Sequence, residues 1–276
     1  MLGCYFLYVS ALVVWRGGLW SYPTAVALLI PAGLFVLAQV ERRSGRRGWS
    51  IVRDWVPAAL VLVAYWSVDW APNPHLDYSL EQAFVRWDRL LLNDWGLHAG
   101  TERLGATLPS ILEAAYLLLY AALPIVIAAF YLRHERDRVD DFLFPFLVGT
   151  LTTYALLPHF PTEGPRFVFA GQDLPGVDTV LRRINLWVLD HGDIRASVFP
   201  SGHVAVGFSC AFAMWIAVPG HRALGWALLA GAVLVWITTI YGRYHYAADG
   251  LASLAITATA IGLIVPVRAL VARLRR

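Results

Sequence analysis

Two histidines and one aspartate in the C-terminal half of this sequence have the residue types and spacing that nucleophilic chemistry requires. His203 and His245 are 42 residues apart, and Asp249 follows His245 by four positions. If the second stretch is helical, His245 and Asp249 share one helix face. The carboxylate then accepts a hydrogen bond from one imidazole nitrogen and leaves the other nitrogen as a nucleophile.

The residues around these histidines favour an anionic ligand, and phosphate is a natural one. Ser201 and Gly202 lead into His203 at a predicted helix start, where serine can cap the helix and glycine lets a ligand approach the backbone. Free N–H groups and the positive end of the helix dipole form an anion site there. Arg166 and Arg243 offer planar guanidinium forks that match phosphate oxygens.

Two other interpretations of the same residues remain open. Each histidine can be a hydrogen-bonded structural residue, and His203, His245 and Asp249 together can hold a metal ion. The helix-start context of His203 suits an anion better than a metal. We therefore expect neither a metal nor a cofactor.

The composition predicts a membrane protein. Hydrophobic residues make up 58% of the 276 residues, charged residues make up 15%, and the mean hydropathy is +0.58. A soluble domain carries about 25% charged residues. The apolar residues fall in blocks of about twenty, the length of a membrane-spanning helix, and a backbone in lipid must satisfy its hydrogen bonds within such a segment. The sequence predicts an all-α polytopic membrane bundle.

The remaining composition excludes other classes of partner and site. All 22 basic residues are arginine, and the net charge of +3 is clustered rather than spread along a stripe, which argues against nucleic acid. Cys4 and Cys210 lie in apolar stretches and indicate neither a disulfide framework nor a metal ribbon. Nothing before the first apolar block resembles the positive n-region of a cleaved signal peptide.

Seven to eight transmembrane helices are expected, the first of them short. The apolar segments are 2–15, 19–40, 51–71, 109–132, 142–158, 200–218, 223–241 and 248–270. With eight spans, four short segments that carry arginine fall on one side, which is taken as cytoplasmic. These segments are 41–50, 133–141, 219–222 and the tail at 273–276.

The two long loops, 72–108 and 159–199, then lie outside. In the first loop, apolar residues at helical spacing predict an amphipathic helix at the outer interface, although a solvated connector remains an alternative. His203 and His245 flank a predicted helical hairpin, so both return to the outer face. We expect one membrane domain over 1–276, with an N-terminal helical hairpin at 1–50 and a catalytic core at 51–276.

The motif Pro-Ser-Gly-His, followed about forty residues later by His-Tyr-x-x-Asp-Gly, resembles the type 2 phosphatidic acid phosphatase superfamily. That resemblance implies a six-helix core and a phosphohistidine mechanism. It implies that His245 attacks phosphorus, that Asp249 orients it, and that His203 protonates the leaving oxygen. Arg166, Arg243 and the amides near Ser201 and Gly202 would then bind the phosphate.

Two departures from the commoner pattern are similar to the inositol phosphorylceramide synthase-like, aureobasidin-sensitive branch. The sequence has no lysine for the first motif, which is instead a proline-rich run that ends at Arg166. Thr239 stands where the third motif usually has arginine, and Arg243 is two residues before the histidine. Glu163 and Gly164 are not the pair expected in that branch.

The function predicted from these residues is a membrane-embedded lipid phosphotransferase. It would move a phosphorylated head group from a phospholipid to an alcohol acceptor, either a polyol or a lipid alcohol, at the extracytoplasmic face of the cell membrane. A lipid phosphate or diphosphate phosphatase, with water as acceptor, is the first alternative. A non-catalytic transporter or scaffold is the second.

Overall fold

The computed structural model describes residues 1–17, 21–71, 77–195 and 197–274. Within these ranges every regular element is helical. The first two residues of the predicted 19–40 segment, and Arg275 and Arg276 of the tail, lie outside the described residues.

Thirteen α-helices make up the described part of the chain. In order they are α1 (Leu2–Gly17), α2 (Tyr22–Ser44), α3 (Arg47–Trp66), α4 (Ser79–Arg89), α5 (Leu97–Glu102), α6 (Thr107–Leu119), α7 (Ala122–Leu132), α8 (Val139–Leu156), α9 (Pro165–Val168), α10 (Val180–Gly192), α11 (Gly202–Ala217), α12 (Arg222–Tyr241) and α13 (Ala247–Leu274). A π-helical turn, Leu90–Asp94, continues α4.

The all-α polytopic architecture is confirmed. Among the described residues, five helical segments are long and apolar enough to cross a membrane: α2, α3 and α8 with their adjoining 3-10 turns, α12, and most of α13. The α6–α7 pair makes a sixth if it counts as one span, although it bends by 71°. All eight predicted segments are helical, but α1 and α11 are shorter than a full span.

The core is an apolar cluster shared by α1, α3, α7, α8 and α11. Phe6 of α1, Phe142 and Phe146 of α8 and Met214 of α11 are fully buried in it. The first helix of the expected N-terminal hairpin therefore packs inside the same core as the helices of the expected catalytic part. Its partner α2 lies mostly on the outside.

The helix predicted in the outer loop is present as α4, and its acidic face rather than its apolar face packs against the protein. Glu81, Val85 and Asp88 are buried against the protein, whereas Leu80 and Trp87 are 44% and 55% exposed. Backbone N–H groups of Glu163 and Ala247 donate to the buried carboxylates of Glu81 and Asp88 and fix this orientation. At a membrane interface the apolar face is free to meet lipid.

Candidate active site

The three residues singled out for chemistry meet in one buried cluster. His203 Nδ1 lies 3.3 Å from His245 Nε2, and His245 Nδ1 lies 3.2 Å from Asp249 Oδ2. Both histidines are at most 6% exposed, and Asp249 is fully buried. His203 opens α11, Asp249 lies in the first turn of α13, and His245 precedes that turn.

The hydrogen-bond pattern assigns the protons on the two rings. His245 Nδ1 is 3.1 Å from the carbonyl oxygen of Val198, which only accepts, so Nδ1 carries the proton and Nε2 keeps a lone pair. His203 Nδ1 must therefore donate to His245 Nε2. The resting site thus pairs a nucleophilic nitrogen with a proton donor.

Three tyrosine rings enclose His203. The rings of Tyr65, Tyr116 and Tyr120 have centroids 5.4, 5.1 and 5.7 Å from the His203 ring. The Tyr120 hydroxyl lies 3.2 Å from His203 Nε2. Because a hydroxyl both donates and accepts, Tyr120 can bond to Nε2 whether or not that nitrogen is protonated.

Tyr120 reaches His203 because the α6–α7 span is broken beside it. Pro124 in the first turn of α7 has no N–H to bond the carbonyl of Tyr120, and its ring would clash with that carbonyl in a continuous helix. The predicted 109–132 segment is therefore helical on both sides of a 71° bend. Pro124 was the available signal for the bend.

The two motifs are bonded directly to each other. Ser201 caps α11 by accepting from Val204 N at 3.3 Å, as predicted, and its own N–H donates to Asp249 O at 3.1 Å. Ser253 Oγ lies 2.7 Å from Ser201 O and 2.8 Å from Asp249 O. These bonds fix the start of α11 against the start of α13, so the histidines are held in register.

A side chain at position 202 would be crowded by two tyrosine rings. A Cβ at this position would lie 3.0 Å from the ring of Tyr154 and 3.1 Å from the ring of Tyr65. The phosphate-binding roles expected of Ser201 and Gly202 stay predictions.

Arg166 is held by two carboxylates. It donates from Nη1 to Asp190 and from Nη2 to Asp193, each at 3.1 Å. Asp193 also accepts from Tyr65 Oη, which ties the ion pair to the aromatic enclosure of His203. The structure thus places Arg166 beside the histidine cluster, as the sequence predicts, with its charge already partnered.

Arg243 has different surroundings. It is 1% exposed in a left-handed backbone conformation, with φ of 63°, and Nη1 donates to Asp88 Oδ2 at 2.6 Å. Asp88 Oδ1 accepts from Ala247 N, so α4 is strapped to the start of α13. Burial raises the pKa of Asp88 to about 6, against the lowering effect of the Ala247 N–H and Arg243. The described contacts bring Arg243 to α4 rather than to either histidine.

Glu113 is the centre of another buried polar network. It accepts from Asn185 Nδ2 at 2.7 Å and from the hydroxyl of Tyr244 at 2.8 Å, and it pairs with Arg182 at 3.4 Å. This network joins α6 and α10 to the loop that carries His245.

A cavity of about 240 Å³ ends at the histidine cluster. Most of its wall is apolar and comes from α3, the α6–α7 bend, α8, α10 and α11. The polar side chains in its lining are Tyr65, Tyr120, Tyr154, Asp193 and His203.

Comparison with known protein families identifies the fold and the motifs together. The family model described as the PAP2 superfamily matches residues 82–263. The chain belongs to the PAP2 superfamily. The matched residues include the histidine cluster, Arg166 and the Asp88–Arg243 pair. Tyr65 lies before the matched region.

One curated relative is similar to part of the chain. A PA-phosphatase related-family protein of Dictyostelium discoideum is 30% identical over 132 residues, which is 43% of this chain. The chain spans only 22% of that relative's length over the matched region. No solved structure matches the chain.

Sequence reasoning on this PAP2 chain missed the residues that hold the cluster from outside the motifs. Tyr65 and Tyr120 come from α3 and the α6–α7 break, and Asp88 comes from α4 in the first long loop. Asp193 directly follows α10. No motif spacing links these residues to His203 and His245, because their proximity arises from helix packing.

Burial alters the titration of His245, which lies in the connection between α12 and α13. It lowers the pKa of this imidazole to about 4, against the raising effects of Asp193 and the Val198 carbonyl. His245 is therefore neutral at physiological pH, which is the state a nucleophile needs.

Proposed function

We propose that the protein is a membrane-embedded lipid phosphotransferase that works through a phosphohistidine. His245 Nε2 attacks phosphorus and the bond between phosphorus and the lipid oxygen breaks. His203, protonated on both nitrogens at this step, gives its Nδ1 proton to the leaving oxygen and keeps its Nε2 proton towards Tyr120. The acceptor alcohol then loses its proton to His203 Nδ1 and attacks phosphorus, which releases His245.

The observation that best supports this proposal is the geometry of His203 and His245. A lone-pair nitrogen and a proton donor face each other at 3.3 Å, and Val198 and Asp249 fix the tautomer behind the nucleophile. The helix start at Ser201 and Gly202, directly before His203, suits an anionic phosphate better than a metal ion. A degenerate scaffold would have no need to keep this arrangement.

The apolar cavity supports an alcohol acceptor over water. His203 forms part of its lining, and Leu62 and Trp66, also in the lining, are 41% and 46% exposed on the lipid-facing side of α3. Apolar chains gain about 25 cal/mol per Å² on leaving water, so a lipid alcohol is favoured in such a cavity. The second attacker would then reach His203 from the bilayer.

The sequences of the motifs also support a transferase with an alcohol acceptor. The absent lysine, the proline-rich run before Arg166 and Thr239 at the usual arginine position are similar to the inositol phosphorylceramide synthase-like branch. We therefore propose a phosphodiester lipid, such as an inositol phospholipid, as donor.

We place the reaction at the extracytoplasmic face. The helices α3, α8 and α12 each run from an arginine-rich connection towards the end that holds the histidines. Arginine-rich short loops are retained on the cytoplasmic side.

The test is a transfer assay on the purified full chain in nanodiscs. Phosphatidylinositol labelled in its head group is incubated with a polyol or with a long-chain lipid alcohol. We expect a labelled head group on an added alcohol, diacylglycerol release in equal amount, and neither product with His245→Ala. Release of labelled head group at a rate that ignores every alcohol would overturn the transferase.

A lipid phosphatase is the second candidate. The printed name of the Dictyostelium relative, a PA-phosphatase related-family protein, favours it. In that case water replaces the alcohol at His203, and phosphatidic acid would release inorganic phosphate.

A further inference from the structure

Arg166, one of the two cations expected to bind phosphate, is already paired with a partly buried carboxylate. The side chains of Arg166 and Asp193 are only 13% and 14% exposed, and Nη2 and Oδ2 are 3.1 Å apart. Asp190, on the other amino group of Arg166, is 63% exposed. Water therefore screens Asp190 strongly and Asp193 weakly.

Asp193 is also held towards the reacting groups. Its Oδ1 accepts from the hydroxyl of Tyr65 and from Ile194 N at 3.0 Å, and its Oδ2 accepts from Arg166. The ring of Tyr65 contacts His203, and Asp193 and His203 line the same cavity. A phosphate placed between the histidines would therefore lie close to a fixed negative charge.

The charge of the substrate decides how strongly this carboxylate opposes binding. A phosphodiester carries one negative charge, whereas a phosphomonoester carries about −1.5 to −2 at pH 7. The additional negative charge of a phosphomonoester is repelled by Asp193. The repulsion is weakly screened, because the site is partly buried and Arg166 is already paired with Asp193. At an effective dielectric constant of about 20, repulsion between unit charges a few ångströms apart changes affinity by at least about tenfold.

We propose that Asp193 is a specificity residue that makes the site accept phosphodiester lipids and reject phosphomonoester lipids. This inference rests on the proposed phosphoryl transfer and names the donor class that the transfer uses. The preferred donor is accordingly a phospholipid whose head group is attached through a phosphodiester. Phosphatidic acid, a phosphomonoester, is a poor substrate.

The test compares two lipids that differ by one charge. Phosphatidylmethanol and phosphatidic acid with identical acyl chains both release diacylglycerol when His245 attacks phosphorus, so one product reports both reactions. For the wild-type chain we expect a higher kcat/KM on phosphatidylmethanol. Asp193→Asn keeps the shape and the acceptor oxygen of the side chain, and we expect it to lower the phosphatidylmethanol-to-phosphatidic acid ratio by about tenfold or more.

Asp190→Asn is the matched control, because it removes a carboxylate from the same guanidinium at an exposed position. We expect it to change the ratio by less than about twofold. An unchanged ratio in Asp193→Asn, or an equal change in both variants, would overturn the proposal. If Asp193→Asn is inactive on both lipids, the wild-type ratio decides, and a preference for phosphatidic acid refutes the proposal.

The result is separable from the proposed function. If neither lipid gives diacylglycerol above the His245→Ala background, phosphoryl transfer itself fails. If both lipids react but the ratio does not respond to Asp193, transfer stands and the specificity role fails.

Discussion

His203 Nδ1 and His245 Nε2 are in hydrogen-bonding contact at 3.3 Å, so the nitrogen that would attack phosphorus is covered by the group that would protonate the leaving oxygen. Substrate binding must separate the two rings. When the rings separate, the hydrogen bond between His203 Nδ1 and His245 Nε2 breaks. His203 can then donate its Nδ1 proton to the leaving oxygen.

This relationship predicts different defects for the two histidines. His203→Ala should slow diacylglycerol release by about 10² to 10⁴-fold. The defect should shrink with a 4-nitrophenyl phosphodiester, whose leaving group needs no proton. His245→Ala should give no nitrophenol burst with that substrate. Rapid-quench measurement of the burst distinguishes the roles, and equal defects of His203→Ala on both leaving groups would contradict the acid role.

Tyr120 is expected to act as a positioning residue for His203. Tyr120→Phe removes the hydroxyl 3.2 Å from His203 Nε2 and should lower kcat by about tenfold or more, with KM little changed, because a hydrogen bond to a charged ring is lost. The pH dependence of kcat should shift as well. Tyr116→Phe is the control, since its ring packs on His203 while its hydroxyl bonds to neither histidine among the described residues.

The titration of His245 predicts an acid-tolerant first step. Burial lowers its pKa to about 4 from the ordinary 6.5, so the neutral nucleophile persists as pH falls through 6 and 5. Single-turnover nitrophenol release by His203→Ala, in which the second imidazole is absent, should lose activity only near pH 4. A loss of nitrophenol release centred near pH 6.5 would contradict this prediction.

The same shift has a consequence for stability. The unfolded chain takes up a proton on His245 below about 6.5, whereas the folded chain does so only near 4. The stability contributed by neutral His245 is therefore complete above about 6.5 and declines as pH falls towards 4.

The helices and the histidine cluster were predictable because they depend on local patterns. Apolar blocks of spanning length give the helices, and the four-residue spacing of His245 and Asp249 gives their contact. The orientation of α4 was not predictable from periodicity, since an apolar face at a membrane interface can turn to lipid while Glu81 and Asp88 turn inward. The contacts of Tyr65 with His203 and Asp193 depend on how α3 packs, which no local pattern encodes.

Arg166 and Arg243 should respond differently to removal. Arg243→Ala leaves Asp88 buried without its cation, which costs about 3–5 kcal/mol of stability. Arg166→Ala should raise KM for lipid and lower the thermal midpoint less than Arg243→Ala does, because its Asp190 partner is exposed and Asp193 keeps the hydrogen bonds from Tyr65 and Ile194 N. Thermal unfolding in detergent and lipid kinetics on both variants separate the roles. A raised KM with an unchanged midpoint for Arg243→Ala would make it the phosphate ligand that the sequence predicts.

The proposed sidedness can be tested with cysteines placed at the two ends of the bundle. In a variant with Cys4 and Cys210 replaced by serine, Asp190→Cys should react with a membrane-impermeant maleimide in intact cells, because α10 lies at the histidine end. Arg138→Cys, in the connection before α8, should react only after lysis. Both positions are exposed, so accessibility to the reagent does not separate them. The reverse labelling pattern would place the histidines on the cytoplasmic face and contradict the arginine rule for this chain.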